Sequence, residues 1–268
     1  MIKNLFFISK FIIILYLLNL SLATYDDYIE PSQQFRGLWV TPLANDINTF
    51  KNKNDFIEKM NKIFDTIKKY NMNSLIFHVR IYNDALYNSK SNPKNQIFKN
   101  IDFSEFDPLQ WAIEESHKKG IEFHAWMNPY RIKSNTKSID EIIIEYNKYP
   151  NNPASQESNI MIGKDYFYLN PGLQNVRKFL VDTVLEFMSK YKEVDAIHFD
   201  DYFYNNDISS GGDENTYGES GDKKAKSDWR REQVDLLIES LHKEINNFNK
   251  ENKKYIQFGI SPSGIYKK

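Results

Sequence analysis

Five short apolar runs, separated by helical patterns, constrain the fold of this chain more than any other feature. The runs lie at 35–41, 74–80, 121–126, 194–200 and 255–261. Each has the length of a strand and is rich in β-branched and aromatic residues. Strands that alternate with helices along a chain form a parallel sheet. We therefore predict an α/β fold.

The helical patterns between these runs are apolar stripes that recur every three or four residues. Their apolar positions span 56–67, 109–113, 176–188 and 234–245. Asp107 and Pro108 precede the second stripe, and this pair is typical of a helix start. The long connection at 134–165 is rich in Asn, Ser and Lys, and we predict one helix in it, at 139–149.

The alternation of side chains within the runs separates two sheet architectures. Ile197 and Phe199 point to one face of their strand, whereas His198 and Asp200 point to the other. In the run at 74–80, Leu75, Phe77 and Val79 likewise oppose His78 and Arg80. Strands of an open, doubly wound sheet are usually apolar on both faces. In a barrel, one face packs on helices and the other lines the interior. The pattern favours a (β/α)8 TIM barrel, of which about five of eight units are visible, so we expect a C-terminally incomplete barrel.

Residues 1–23 have the features of a secretory signal peptide. Lys3 and Lys10 precede an apolar run at 11–18, and Ser21 and Ala23 supply small residues for cleavage. An uncleaved signal anchor is the alternative, but the run is short for a span of about 20 residues. We predict a linker at 24–33, a barrel domain at 34–268, and export to the periplasm, cell envelope or medium.

Charge and cysteine content narrow the range of partners. The net charge is -1, so no global field attracts nucleic acid or an anionic membrane. The chain has no cysteine and therefore forms no disulfides. We expect a glycan substrate, no nucleic acid, no cofactor, and no stable membrane insertion after signal cleavage. Oligomeric state is not predictable from the sequence.

The run at 194–200 ends in two adjacent carboxylates, Asp200 and Asp201. Barrel enzymes carry catalytic groups at this end of their strands. Glycoside hydrolysis uses one carboxyl as general acid and a second as nucleophile or base. The acid stays protonated near neutrality if it is buried or lies beside another negative charge. In the alternative interpretation, the pair caps helices or binds Arg80 or Arg131.

A second group of candidates occupies 122–131 and the ends of the other strands. An aromatic ring followed by amide and guanidinium donors is a reasonable sugar subsite. Arg80 has an alternative role as partner of Asp84 in a buried pair that shapes the rim. The predicted substrate-binding residues are Trp39, His78, Arg80, His124, Trp126, Asn128, Tyr130, Arg131, Asn170, His198, Tyr202 and Ser261.

Three histidines on the predicted interior face leave a metal site as an alternative. His78, His124, His198 and Asp200 are of the residue types that bind catalytic zinc. The first strand lacks the pair of histidines common in barrel metallohydrolases. Nucleophile elbows, phosphate loops and dinucleotide fingerprints are absent from the sequence. We therefore predict no metal ligands.

Nine sequence blocks resemble, in order, the glycosyl-hydrolase-like 10 domain family. They include FRGLWVT at 35–41, IFHVR at 76–80, FHAWMNPYR at 123–131, IHFDDYFY at 197–204 and FGISPSG at 258–264. The resemblance covers about residues 34–268. It implies a (β/α)8 barrel, an exported protein and hydrolysis of glycan strands. Bacterial members of this kind act on peptidoglycan glycan that lacks its peptides.

The resemblance also implies that the last strands of the barrel are missing from this chain. The missing part includes a rim segment that can carry a second catalytic carboxylate. We expect an exported glycoside hydrolase of the cell wall in which Asp200 is the general acid and Asp201 the second carboxylate or its electrostatic partner. The alternatives are a non-catalytic carbohydrate-binding or scaffolding barrel and a metal-dependent hydrolase.

Overall fold

The computed structural model describes residues 34–43, 47–134, 136–149, 151–204 and 212–262. The elements below all belong to one compact unit that begins at Arg36. The predicted signal peptide and linker lie outside the described residues. No helix within the described ranges is both long and apolar enough for a bilayer span.

Eight strands and six α-helices make up the described fold. The strands are β1 (Gly37–Val40), β2 (Ser74–Arg80), β3 (Glu122–Met127), β4 (Arg131–Ser134), β5 (Ile160–Ile162), β6 (Tyr166–Leu169), β7 (Ala196–Phe199) and β8 (Gln257–Ile260). The helices are α1 (Lys53–Lys69), α2 (Pro108–Lys118), α3 (Ile139–Tyr146), α4 (Gln174–Lys190), α5 (Glu214–Ser220) and α6 (Lys226–Asn252).

The main sheet has five parallel strands in the order β1-β2-β3-β7-β8. All five predicted strands are present, and the α/β prediction is confirmed. Among the described residues these strands form an open sheet and do not close into a barrel. The closed barrel and the incomplete C-terminal end therefore stay predictions.

Local sequence signals explain where the helices beside this sheet begin. The Asn52 side chain accepts from the Asp55 backbone N–H at the start of α1. The Asp107 carboxylate accepts from two backbone N–H groups at the start of α2, where Pro108 is the first residue. Such caps satisfy amides that have no partner inside a helix. Gly120 then follows α2 with φ +70°, a conformation that glycine adopts readily.

The apolar face of the main sheet is covered by helices. Leu75, Phe77 and Val79 of β2 are fully buried, and they share one core with Phe56 and Phe64 of α1. The face assignment made from alternation is therefore correct for β2. Burial of such side chains is the main source of stability in a domain of this kind.

The opposite face of the sheet is concave. Three strand spacings separate β1 from β7, or about 14 Å in a flat sheet. The Trp39 ring on β1 nevertheless lies 4.6 Å, centroid to centroid, from the His198 ring on β7. Trp39 also meets Trp126 of β3 at 4.9 Å. These contacts require a curved sheet with the rings on its inner side.

A small antiparallel sheet, in the order β4-β6-β5, was not predicted. It lies in the long connection between β3 and α4, together with α3. The predicted helix at 139–149 is present at Ile139–Tyr146, and Ser138 and Glu141 form a capping box at its start. The three strands have four, four and three residues, which is too short for a clear alternation pattern.

Candidate active site

The carboxyl end of β7 turns sharply after Asp200. Asp201 has φ +34°, in the left-handed region that non-glycine residues rarely adopt. A regular strand would have sent the two carboxylates to opposite faces. Asp201 instead accepts from the Arg131 guanidinium, with Nη2 and Oδ2 2.6 Å apart. Backbone strain of this kind is common at functional sites.

The segment that follows β3 holds this ion pair in place. The Asn128 side chain accepts from the Arg131 backbone N–H at 2.9 Å and donates to Asp201 Oδ2 at 3.4 Å. The Arg131 guanidinium lies over the Tyr166 ring, 5.0 Å from its centroid. A cation over an aromatic face is favourable, more so when it is shielded from water. Arg131 is thus fixed from two sides.

The Asp200 carboxyl has a different environment from its neighbour. Its Oδ1 atom is buried and has no hydrogen-bond partner in the described structure. Burial and the negative charge of Asp201 together raise its pKa to about 7. Trp126, Arg131 and Asn128 oppose that rise, but more weakly. A substantial fraction of Asp200 therefore carries a proton at neutral pH.

Aromatic and imidazole rings form the inner surface beside these carboxyls. The His78 and Trp126 rings are stacked, with centroids 3.8 Å apart and planes 5° apart. Trp39 packs edge-on against both Trp126 and His198. The Trp126 Nε1 atom is buried and has no hydrogen-bond partner in the described part of the chain. The surface thus combines stacked rings with a buried indole N–H that lies on the side of the Asp200 carboxyl.

Both imidazoles of this surface are neutral near pH 7. Burial and the positive charge of Arg131 hold the pKa of His78 well below its usual value, and Nδ1 lies 3.1 Å from Thr41 Oγ1. Burial and nearby His124 lower the pKa of His198 to about 4. His198 Nε2 lies 2.8 Å from Ser261 Oγ. Neither ring supplies a positive charge to the carboxyl pair.

Four other residues that were predicted to bind substrate make contacts within the protein or are buried. Arg80 is buried and donates to the Asn128 and Pro129 carbonyls and to Asn83, so it supports the segment after β3. The other three each have a partner or a buried position. Asn170 bonds Thr216 and the Gly172 amide, His124 Nε2 lies 3.1 Å from Glu122, and the Tyr130 ring is buried.

Tyr202 is not among the rings packed beside Asp200. It follows Asp201 in the chain and lines a groove with residues of α6. The structure therefore brings together Asp200, Asp201, Asn128 and Arg131 above Trp39, His78, Trp126, His198 and Ser261. The terminal nitrogens of Arg80 and the side-chain amide of Asn170 already bond the protein, so their surroundings do not favour the predicted assignment to substrate contact.

Two residues of the site were not predicted. Thr41 shares the inner face of its strand with Trp39, and this alternation was a signal that could have identified it. Tyr166 lies beneath Arg131, but it belongs to the small sheet that the sequence did not predict. No sequence pattern pointed to its position.

The residues proposed for the metal alternative do not converge. Among the described ranges, no group of three or more His, Asp or Glu side chains is arranged to hold a metal ion. His124 is next to Glu122 and His198 is next to Ser261, on different strands. His78 and His198 instead pack as part of the ring surface.

A family model for the glycosyl hydrolase-like 10 proteins matches residues 34–268. The chain belongs to this family. Two of the proteins it resembles in sequence are bacterial and are named glycosyl hydrolases. It is 31% identical over 254 residues to glycosyl hydrolase YngK of Bacillus subtilis strain 168, a match that covers 89% of this chain and 46% of YngK.

A second relative is glycosyl hydrolase DigH of Escherichia coli K12, 31% identical over 259 residues, with 89% of this chain and 57% of DigH covered. This glycosyl hydrolase-like 10 chain thus spans about half the length of the curated relatives it matches. A hypothetical protein from Ruminiclostridium thermocellum aligns with a TM-score of 0.47 at 11% identity, covering 84% of this chain and 96% of its own. That likeness is too weak to bear on fold or activity.

Proposed function

We propose that this protein is an exported glycoside hydrolase that cleaves glycosidic bonds in peptidoglycan-type glycan strands. In this proposal residues 1–23 are a cleaved signal peptide and 34–268 belong to a TIM-barrel domain. Family membership and the names of the two relatives support the reaction class. The concave sheet with an aromatic inner surface is consistent with the start of a barrel.

One observation carries the proposed mechanism: the Asp200 carboxyl, whose buried Oδ1 has no hydrogen-bond partner in the described structure, stands beside a second carboxylate that is ion-paired. Asp200 has a pKa of about 7 and is the general acid. It donates its proton to the glycosidic oxygen as the bond from that oxygen to the anomeric carbon breaks. The leaving sugar departs as a neutral alcohol, and Asp200 is left as a carboxylate.

Asp201 has the complementary role in the proposal. Its negative charge faces the positive charge that develops on the sugar ring and keeps Asp200 protonated beforehand. Arg131 and Asn128 orient it. Water completes the reaction by adding to the anomeric carbon, and its proton returns to Asp200. Trp126 and Trp39 offer ring faces on which the apolar face of a sugar can pack.

The decisive experiment removes the proton donor while keeping the shape of the side chain. Asp200→Asn should lower turnover of peptide-free glycan strands by at least about 100-fold, with strand binding retained. Products are read by mass spectrometry, and binding by calorimetry. The matched control is Asp182→Asn, an exposed aspartate on α4 paired with Lys178, which should keep full turnover.

Three results would contradict the proposal. Turnover by Asp200→Asn at the parent rate would remove Asp200 from the mechanism. Strand binding by the parent chain without any cleavage would favour a carbohydrate-binding or scaffolding barrel instead. Loss of cleavage on chelation would support a metal-dependent hydrolase.

A further inference from the structure

A second concave surface begins directly beside the carboxyl pair. We call it the Tyr202 groove; it is lined by Tyr202, Phe203, Tyr204, Arg231, Asp235 and Pro262, among others. Its volume is about 380 Å³. Small-molecule pockets fall roughly between 300 and 1,000 Å³, so the groove has room for a small ligand unit.

Two residues in the lining of the groove are chain neighbours of candidate active-site residues. Tyr202 follows Asp201 immediately, and Pro262 follows Ser261, whose hydroxyl meets His198. Helix α6 contributes Arg231 and Asp235 to the same lining. A chain molecule whose reacting bond lies at Asp200 can therefore extend into this groove.

The lining of the groove is arranged before any ligand binds. The Arg230 guanidinium, also in the lining, lies 4.9 Å from the centroid of the Tyr204 ring. Asp213 holds it there through a contact of 2.7 Å from Nε. The Tyr202 and Phe203 rings meet edge-on with centroids 5.6 Å apart. Fixed side chains lose little entropy when a ligand arrives.

The chemistry of the lining selects for a neutral, hydroxyl-rich ligand. Aromatic rings pack on apolar faces, whereas guanidinium and carboxylate groups donate to and accept from hydroxyls. Arg230 is already neutralised by Asp213, and Arg231 by Asp228. The Asp235 carboxylate near Tyr202 opposes an anionic ligand. This combination fits a sugar unit better than a phosphate.

We propose that the Tyr202 groove is a second sugar-binding subsite, which takes a unit of the same glycan whose scissile bond lies at Asp200. This inference rests on the proposed function and extends it to a substrate class. The protein would act on polymeric strands in preference to mono- or disaccharides, because only a longer chain occupies both surfaces.

The test measures how strand length affects binding in the inactive Asp200→Asn chain. Calorimetry is carried out with peptide-free peptidoglycan strands of about two, four and eight sugars. Tyr202→Ala in this background should weaken binding of the longest strand about tenfold, the order expected when one aromatic contact is lost. Disaccharide binding should stay unchanged, because that ligand does not reach the groove.

Two further variants keep the result interpretable. Tyr202→Phe retains the ring and should bind all strands like its parent, which separates loss of the ring from a folding defect. Tyr70→Ala removes a tyrosine ring outside the groove, 60% exposed at the end of α1, and should change nothing. Thermal unfolding confirms that each variant is folded.

The outcomes distinguish the two proposals. Cleavage by the active parent, combined with equal loss or no loss at every strand length in Tyr202→Ala, overturns the groove proposal alone. Failure of the parent chain to bind or cleave any strand overturns the proposed function and the groove proposal with it. Length-selective weakening in Tyr202→Ala, with Tyr202→Phe unaffected, supports the groove proposal.

Discussion

The Arg131 guanidinium is bonded to the Asp201 carboxylate at 2.6 Å, whereas Oδ1 of Asp200, one residue earlier, is buried without a partner in the described structure. Two adjacent aspartates thus have opposite environments. Pairs of acids whose surroundings separate their protonation are typical of acid–base catalysis. Asp201 itself is one cause of the raised pKa of Asp200.

The first prediction concerns the charge of Asp201. Asp201→Asn removes the negative charge beside Asp200 and should lower the pKa of Asp200 from its value of about 7. The general acid must be protonated, so activity falls as pH rises through that pKa. The basic limb of the pH dependence of kcat/KM should therefore move to lower pH, by roughly one unit. Asp182→Asn is the control and should leave the limb in place.

Arg131 should have the opposite effect. Its positive charge favours the ionised form of Asp200 and so lowers the pKa. Arg131→Met keeps much of the aliphatic stem and removes the charge, so the basic limb of the pH profile should move to higher pH. Arg131→Lys keeps the charge and should shift the limb less. A limb that moves to lower pH in Arg131→Met would contradict this electrostatic assignment.

Much of the main sheet was predictable because its strands follow a simple physical rule. Period-two alternation placed Leu75 and Phe77 against the helices and His78 on the inner face, and the structure agrees. The same alternation predicted that His198 shares the inner face with Asp200. Capping signals such as Asp107 with Pro108 located α2, since they depend only on local backbone chemistry.

Other parts of the site depend on long-range contacts that no local pattern reveals. Tyr166 reaches Arg131 through a small sheet whose strands pair across a connection of more than thirty residues. The positive φ of Asp201 is not marked by a glycine in the sequence, and the two aspartates there also suit a catalytic pair. Arg80 was predicted to bind a ligand because it ends a strand, but tertiary contacts direct its guanidinium to loop carbonyls.

The close approach of β8 to the ring surface leads to a prediction about stability. A Cβ atom added at Gly259 would lie 2.8 Å from His198 Nδ1. Gly259→Ala should displace the imidazole, weaken its contact with Ser261, and cost about 1–3 kcal/mol in the free energy of unfolding. Urea denaturation measures this change.

Gly218→Ala is the matched control for that substitution. Gly218 lies within α5, and an added Cβ would meet no atom within 4 Å. Alanine should stabilise the helix by up to about 1 kcal/mol, because it loses less backbone entropy. Equal effects of the two substitutions would show that His198 is not held by the closeness of Gly259.

Asp84 provides a prediction about stability and pH that is independent of catalysis. Burial raises its pKa to about 6, although the Tyr82 amide, Arg80 and Asn95 favour the charged form. In the unfolded chain the pKa is about 3.9. The folded state therefore binds more protons between these values, and the stabilisation present below about pH 4 is lost as pH rises to about 6.

The loss attributable to Asp84 should be roughly 3 kcal/mol, from about two pKa units. In Asp84→Asn this part of the pH dependence should disappear, whereas any lost bond to Asn95 adds a constant that does not vary with pH. Asp200→Asn is the comparison. It removes the separate contribution of Asp200 to the pH dependence of stability, which continues to about pH 7. Urea denaturation from pH 4 to 8 measures both. An unchanged slope between pH 4 and 6 in Asp84→Asn would show that Asp84 is not the buried acid that titrates there.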